Sequence, residues 1–235
     1  MDILMTTQFL AYDHAPTRVF FFDRVSPAAL LLAAEMRKQG TLVVFEPNAV
    51  TPTKLLAEAL RQSDIVKYAR DRLPKFEVDL VAARRECAHW LLEIETQGAE
   101  GLRFRMPQLG RSSWRHLQSV RPDRFVDGAG AGDWCSAVLI DDIGRGGRDT
   151  ASRLTEDDVT VHLTRAQAFA AVACGFTGPR GLMSQRDLPF AERSARALLN
   201  PTRRRGAHQP LAKRTASRGP AWRLPCCGET SAPTE

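Results

Sequence analysis

The chain has 235 residues, a net charge of +6 and five cysteines. That length suits one large α/β domain. No apolar run approaches the roughly 20 residues that a membrane-spanning helix needs, and Met1–Tyr12 lacks the basic start and long apolar core of a secretory signal. An odd number of unevenly spaced cysteines argues against a disulfide framework, so reduced thiols and a cytoplasmic location are expected.

The charge is unevenly spread. From Pro201 onward, Arg203, Arg204, Arg205, Lys213, Arg214, Arg218 and Arg223 face only Glu229 and Glu235, which puts +5 in that segment and about +1 in everything before it. With five prolines and no helical period, residues 201–235 are expected to be a disordered basic tail. The basic balance therefore says little about the folded part, and a nucleic-acid partner is not expected for it. Cys226 and Cys227 are adjacent with no second pair, which argues against a zinc site.

In chain order, residues 1–17 are expected to be a lead-in and 18–200 the domain. Arg18–Asp23 is a short apolar run that predicts a buried strand. Ser26 then caps a helix with Pro27 at its first position, and the helix stops at Gly40. Thr41–Glu46 predicts the next strand, ending in Pro47-Asn48, and a helix near Thr53–Arg61 leads to a strand over Ser63-Asp64-Ile65-Val66-Lys67. This βαβ order predicts a parallel sheet with helices on its faces. Ile94–Phe104 reads as strand, tight turn and strand, with Gly98 and Gly101 at the turn. Thr155-Glu156-Asp157-Asp158 is a helix start. Thr164–Gly175 is an Ala-rich helix, followed by a glycine loop to Gly181. Cys174 in that helix is read as packing.

The most informative stretch is Asp127-Gly128-Ala129-Gly130-Ala131-Gly132-Asp133, followed by the apolar helical run Trp134–Ile140. Glycines let backbone N–H groups approach an anion closely, and a helix N-terminus adds partial positive charge at the same place. An aspartate there would repel a phosphate, so its presence needs a reason, and a general base beside a phosphate cradle supplies one. The dinucleotide fingerprint fails because it needs glycine where Asp133 stands, and the P-loop fails because no lysine follows Gly132. The same residues also fit a glycine-rich helix entry whose aspartate is favoured by the helix dipole alone.

The pattern D-x-x-G-A-G-D at a helix start resembles the signature of the ribokinase-like (PfkB-type) carbohydrate kinases. The resemblance implies a three-layer αβα sheet and transfer of the ATP γ-phosphate to the hydroxyl of a sugar or nucleoside. Asp133 would be the base, and the backbone N–H groups of Gly130, Ala131, Gly132 and Asp133 the anion hole. Asp127 would be a supporting or cation-site carboxylate. Thr96, Gly98 and Gly101 match the family's T-x-G-x-x-G turn, which contacts the nucleotide. ATP and Mg²⁺ are the implied cofactors, and a homodimer is compatible with the family.

Three departures accompany the match. Gly128 stands where the family often has Thr or Ser. Ala69 and Arg72 occupy positions where many members carry the Asn and Glu that organise Mg²⁺, with Asp71 off register; an arginine cannot ligate magnesium. Nothing before Arg18 matches the family's Gly-Gly motif and small β lid, so the domain is expected to be incomplete at its N-terminus. Two other readings remain open: a non-catalytic pseudokinase or nucleotide-binding remnant, and a nucleic-acid-associated protein acting through the basic tail.

Overall fold

The structure is a computed structural model and describes residues 17–47, 53–75 and 77–200. The expected basic tail, and all of the lead-in except Thr17, lie outside the described residues. Among those residues one six-stranded sheet runs in the sequential order β1 (Val19–Phe22), β2 (Leu42–Phe45), β3 (Ile65–Ala69), β4 (Leu92–Thr96), β5 (Leu102–Met106) and β6 (Arg111–Leu117). The first four strands are parallel and the last two pairings are antiparallel.

The helices are α1 (Pro27–Lys38), α2 (Thr53–Gln62), α3 (Glu77–Glu86), α4 (Ala131–Gly144), α5 (Gly147–Ala151), α6 (Glu156–Ala173), α7 (Gly181–Gln185) and α8 (Leu188–Leu199). Helix α1 begins as its sequence predicts: the Ser26 side chain accepts a hydrogen bond from the Ala29 N–H at 3.1 Å, with Pro27 in the first turn.

Both sheet faces are covered, which explains the unbroken apolar run of β2. Leu42 and Val44 point into one core, with Ile94, Phe104, Leu139, Leu163 and Phe169. Val43 and Phe45 point into the other, with Leu30, Leu60, Tyr68, Leu80 and Trp90. The first core is closed by α4, α6 and α8, and the second by α1, α2 and α3. The architecture is the expected three-layer αβα fold.

Strand β4 departs from this pattern. Leu92 and Ile94 enter the first core, but Glu93 and Glu95, on the opposite face, are 0% and 1% exposed. Buried carboxylates need partners, and arginines supply them. Glu93 pairs with Arg84 at 2.7 Å and Arg105 at 2.5 Å, and Glu95 pairs with Arg103 at 2.6 Å. The Trp114 ring lies against all three guanidiniums. Burial and the neighbouring Glu93 push the Tyr68 hydroxyl far above its usual range, so it stays protonated and donates to Glu93 at 2.9 Å.

Strand β1 is only partly buried. Phe21 is 42% exposed because β1 is the sheet edge among the described residues. The Ala-rich helix is one continuous α6 from Glu156 rather than a segment starting at Thr164. A capping box starts it, in which Thr155 and Asp158 satisfy each other's backbone N–H groups. Among the described residues no helix is long and apolar enough to cross a membrane.

Candidate active site

In open parallel sheets, ligands bind beyond the carboxyl ends of the strands. Here that edge carries Glu46 after β2, Arg70 after β3 and Thr96 closing β4. Above it sits the loop 127–130, which turns into α4. Gly130 has φ +79° in the left-handed region, and a Cβ there would lie 2.7 Å from Pro179. Only glycine suits that position on both counts. The Gly130 carbonyl accepts the first helical bond, from the Trp134 N–H at 2.9 Å. The N–H groups of Gly132 and Asp133 therefore precede the intrahelical ladder and are free to point at a ligand. The Asp133 side chain is exposed in this first turn.

Asp127 holds the loop closed. One carboxylate oxygen accepts the Ala129 N–H at 2.9 Å and the other accepts the Gly178 N–H at 2.8 Å. These backbone bonds hold its carboxyl below the usual aspartate range. Both oxygens are thus engaged with the chain itself.

The floor of the site is an ion pair beneath the first turn of α4. The Lys67 side chain is 3% exposed. Its Nζ donates to Glu46 at 2.7 Å and reaches the Gly132 carbonyl at 3.4 Å. The Ser136 hydroxyl donates to the other Glu46 oxygen at 2.5 Å and lies 3.1 Å from the same carbonyl. The end of β2, the middle of β3 and the start of α4 are tied together by these four groups. Lys67 and Glu46 were visible in the sequence only as strand-end residues; their pairing depends on the parallel β2–β3 register, which no local pattern reveals.

The predicted turn between β4 and β5 forms as a short 3₁₀ segment over Gly98–Glu100. The Gln97 N–H donates to the Gly101 carbonyl at 2.8 Å. Gly101 has φ +103°, and a Cβ there would fall 2.1 Å from the Leu117 carbonyl oxygen. The turn is therefore pressed against the end of β6, with the Thr96 hydroxyl donating back to the Tyr68 carbonyl at 3.4 Å.

Two cavities meet at the glycine loop. One, of about 620 Å³, is mostly apolar, lined by Leu102, Val120, Phe125, Cys135, Ala170 and Ala171 with Ser119, Arg121 and Gln167 among them. The other, of about 1020 Å³, is polar and holds Asp23, Glu46, Lys67, Arg70, Arg72 and Asp133. Thr96, Gly98, Gly128, Ala131 and Gly132 line both. All eight residues singled out from the sequence thus lie at this junction or brace it: Gly130 and Asp133 line the polar side, Gly101 the apolar side, and Asp127 clamps the loop from behind. Cys174 lines the apolar cavity, and burial pushes its thiol up, followed by the nearby Asp127 charge. It is packed rather than reactive.

Magnesium has no protein cage among the described residues. Among the described residues no three His, Cys, Asp or Glu side chains converge as a metal site. Ala69 offers no donor, Arg70 is paired with Glu95 and Glu100, and Glu46 is committed to Lys67 and Ser136.

The fold recurs in solved structures of kinases. The aminoimidazole riboside kinase of Salmonella enterica superposes with a TM-score of 0.59 at 20% identity, over 80% of this chain and 65% of that one. The fructokinase of Xylella fastidiosa gives 0.58 at 16% identity, over 79% and 62%. The ribokinase of Arabidopsis thaliana, solved with ribose and ATP, gives 0.56 at 18% identity, over 78% and 56%. The fold is ribokinase-like. The chain spans less than two thirds of the length of each of these ribokinase-like structures. No protein-family model matches the sequence, and no curated protein matches it.

Proposed function

We propose that this chain is the nucleotide-binding and phosphoryl-transfer part of an ATP-dependent carbohydrate kinase acting on a sugar or nucleoside hydroxyl. The observation that carries this reading is the position of Asp133, on the first turn of α4, where an apolar and a polar cavity meet across a glycine loop. The apolar cavity has the size and lining of a small-molecule site and would take the nucleotide base. The triphosphate would then cross Gly128–Gly132 into the polar cavity. The N–H groups of Gly132 and Asp133, with the helix dipole behind them, would hold the charge developing on the transferring phosphoryl group.

Asp133 would accept the proton of the attacking hydroxyl from the polar side. Lys67 would not contact phosphate; it would hold the Gly132 carbonyl so that the neighbouring N–H groups face the ligand. The donors among the described residues do not make a resident magnesium site, so the cation would arrive with the nucleotide as part of the substrate.

A second reading is favoured by a specific observation: Ala69 and Arg72 leave the cation-organising positions without carboxylate or amide oxygens. On that reading the chain binds nucleotide without turning it over. ADP release from MgATP, measured against a panel of sugars and nucleosides with Asp133→Asn as control, separates the two. Turnover that needs an acceptor and collapses in the variant is the expected result. Nucleotide binding by calorimetry with no turnover on any acceptor selects the non-catalytic reading, and absence of both removes the nucleotide site altogether. The nucleic-acid reading rests on the tail outside the described residues. Deleting residues 201–235 tests it, since equal binding by the truncated chain eliminates the tail as the cause.

A further inference from the structure

Gln167 is a polar side chain in an apolar setting. It lies in α6 between Ala166 and Ala168, both 0% exposed, and is itself 9% exposed. It lines the apolar cavity with Cys135, Ala170 and Ala171. Its Nε2 is buried and has no hydrogen-bond partner among the described residues. A buried amide donor left unpaired is costly, and native chains retain one where a ligand or an ordered water completes it. The ligand implied by the cavity is the flat, mostly apolar base of a nucleotide.

We infer that Gln167 reads the polar edge of that base and selects adenine over guanine. This rests on the nucleotide-site reading above and adds to it a specificity residue. A carboxamide pairs with adenine through two parallel bonds: its oxygen accepts from the exocyclic N6 amine while its nitrogen donates to N7. Guanine presents two acceptors on the same edge, O6 and N7, so the carboxamide can satisfy only one and its oxygen faces another oxygen. Of the other walls, Leu102, Val120, Phe125 and Ala171 are apolar and grip either purine alike, while Thr96 and Ser119 are half-buried and Arg121 is exposed. Among these polar lining groups Gln167 alone is buried, and the discrimination is assigned to its amide.

The test uses the full chain and calorimetric titration with the non-hydrolysable analogues AMPPNP and GMPPNP, and with purine riboside triphosphate, which lacks the 6-amino group. The parent chain should bind AMPPNP roughly tenfold or more tightly than the other two, about one good bidentate pair. Gln167→Leu, close in size and without polar atoms, should weaken AMPPNP about tenfold, leave GMPPNP nearly unchanged and erase the preference. Gln167→Glu keeps the acceptor for N6 but loses the donor to N7, and should fall between.

A structural role alone would move the melting temperature of Gln167→Leu, or weaken all three ligands together, without changing their ratio. Either that result, or equal binding of AMPPNP and GMPPNP by the parent, overturns the assignment while leaving a nucleotide site in place. If the parent binds none of the three, the nucleotide reading itself fails and this inference falls with it.

Discussion

The two cavities that flank the glycine loop are built by different means. The apolar one is a gap between packed elements: the β4–β5 turn, the start of α4 and the alanines of α6 leave a slot because small residues stand where larger ones would close it. Its shape follows from side-chain volume. The polar one is assembled around the strand ends, with Glu46 after β2, Arg70 after β3 and the buried Lys67 of β3 beneath them. Its shape follows from ion pairs, which hold only while every partner is present. The same Gly132 backbone serves both cavities, so damage on either side should reach the loop by a different route. Changes on the polar side should be severe and chemical, and those on the apolar side graded and selective.

The largest effect expected from breaking the polar side is at Asp133. Asp133→Asn removes the proton acceptor but keeps shape and exposure, and should lower kcat by about 10²–10⁴. The KM for ATP should change little, because the proposed anion hole is made of backbone N–H groups. A variant that turns over like the parent would falsify the role of Asp133 as base. Next is the ion pair on the floor. Lys67→Met leaves the Glu46 carboxylate with the Ser136 hydroxyl but no compensating charge, and breaking such a buried pair costs about 3–5 kcal/mol. Urea denaturation reads this directly. The double variant with Glu46→Gln should recover part of the loss; no recovery would mean that Lys67 stabilises through packing of its stem instead.

The difference between the cavities also explains what was legible in the sequence. The glycine loop, the turn with Thr96, Gly98 and Gly101, and the cap on α1 are each signalled within a few residues and appear where their patterns predict, although the loop is also held by Gly178 and Pro179 and the turn by Leu117. The strand order follows from alternating elements. Less legible were groups that meet only through the sheet. Glu93 and Glu95 interrupt β4 as if they were solvent-facing, yet they are buried by arginines from β5 and α3 and by Trp114 of β6, a strand with no apolar alternation to announce it. Gln167 carried a signal that could have been used: it is a lone uncharged polar residue on the alanine stripe of α6. The exposure of β1 was not legible, since a run of phenylalanines reads as buried whether or not a neighbour covers it.

Gly130 sharpens the comparison because it stands at the junction itself. Gly130→Ala would place a methyl group 2.7 Å from Pro179 on a backbone with φ +79°. The left-handed conformation alone costs roughly 1–3 kcal/mol for a residue with a side chain, and the proline contact adds to it. The loop should give way before the core does. The variant should therefore lose nucleotide affinity by more than its fall in melting temperature implies. Equal losses would mean that the loop and the core unfold as one unit.

The mildest perturbation is acid, and it isolates the clamp behind the loop. Asp127 is held below the usual aspartate range first by the Ala129 N–H and then by the Gly178 N–H. A carboxylate lowered in the folded state stabilises it fully above the ordinary aspartate value of about 4. That contribution is lost as the pH falls through the lowered folded value. The sign is therefore loss of loop closure in acid, not in base, and because the carboxylate is exposed the effect is local. Hydrogen exchange at the Ala129 and Gly178 amides should accelerate below about pH 4 relative to an amide of the sheet ladder such as Ile94, whose bonds involve no titrating group. Asp127→Asn should show the faster ratio already at neutral pH, since an amide presents one acceptor where the loop needs two. A ratio that stays flat in acid and in the variant would mean that Gly130 and its contact with Pro179 keep the loop shut unaided.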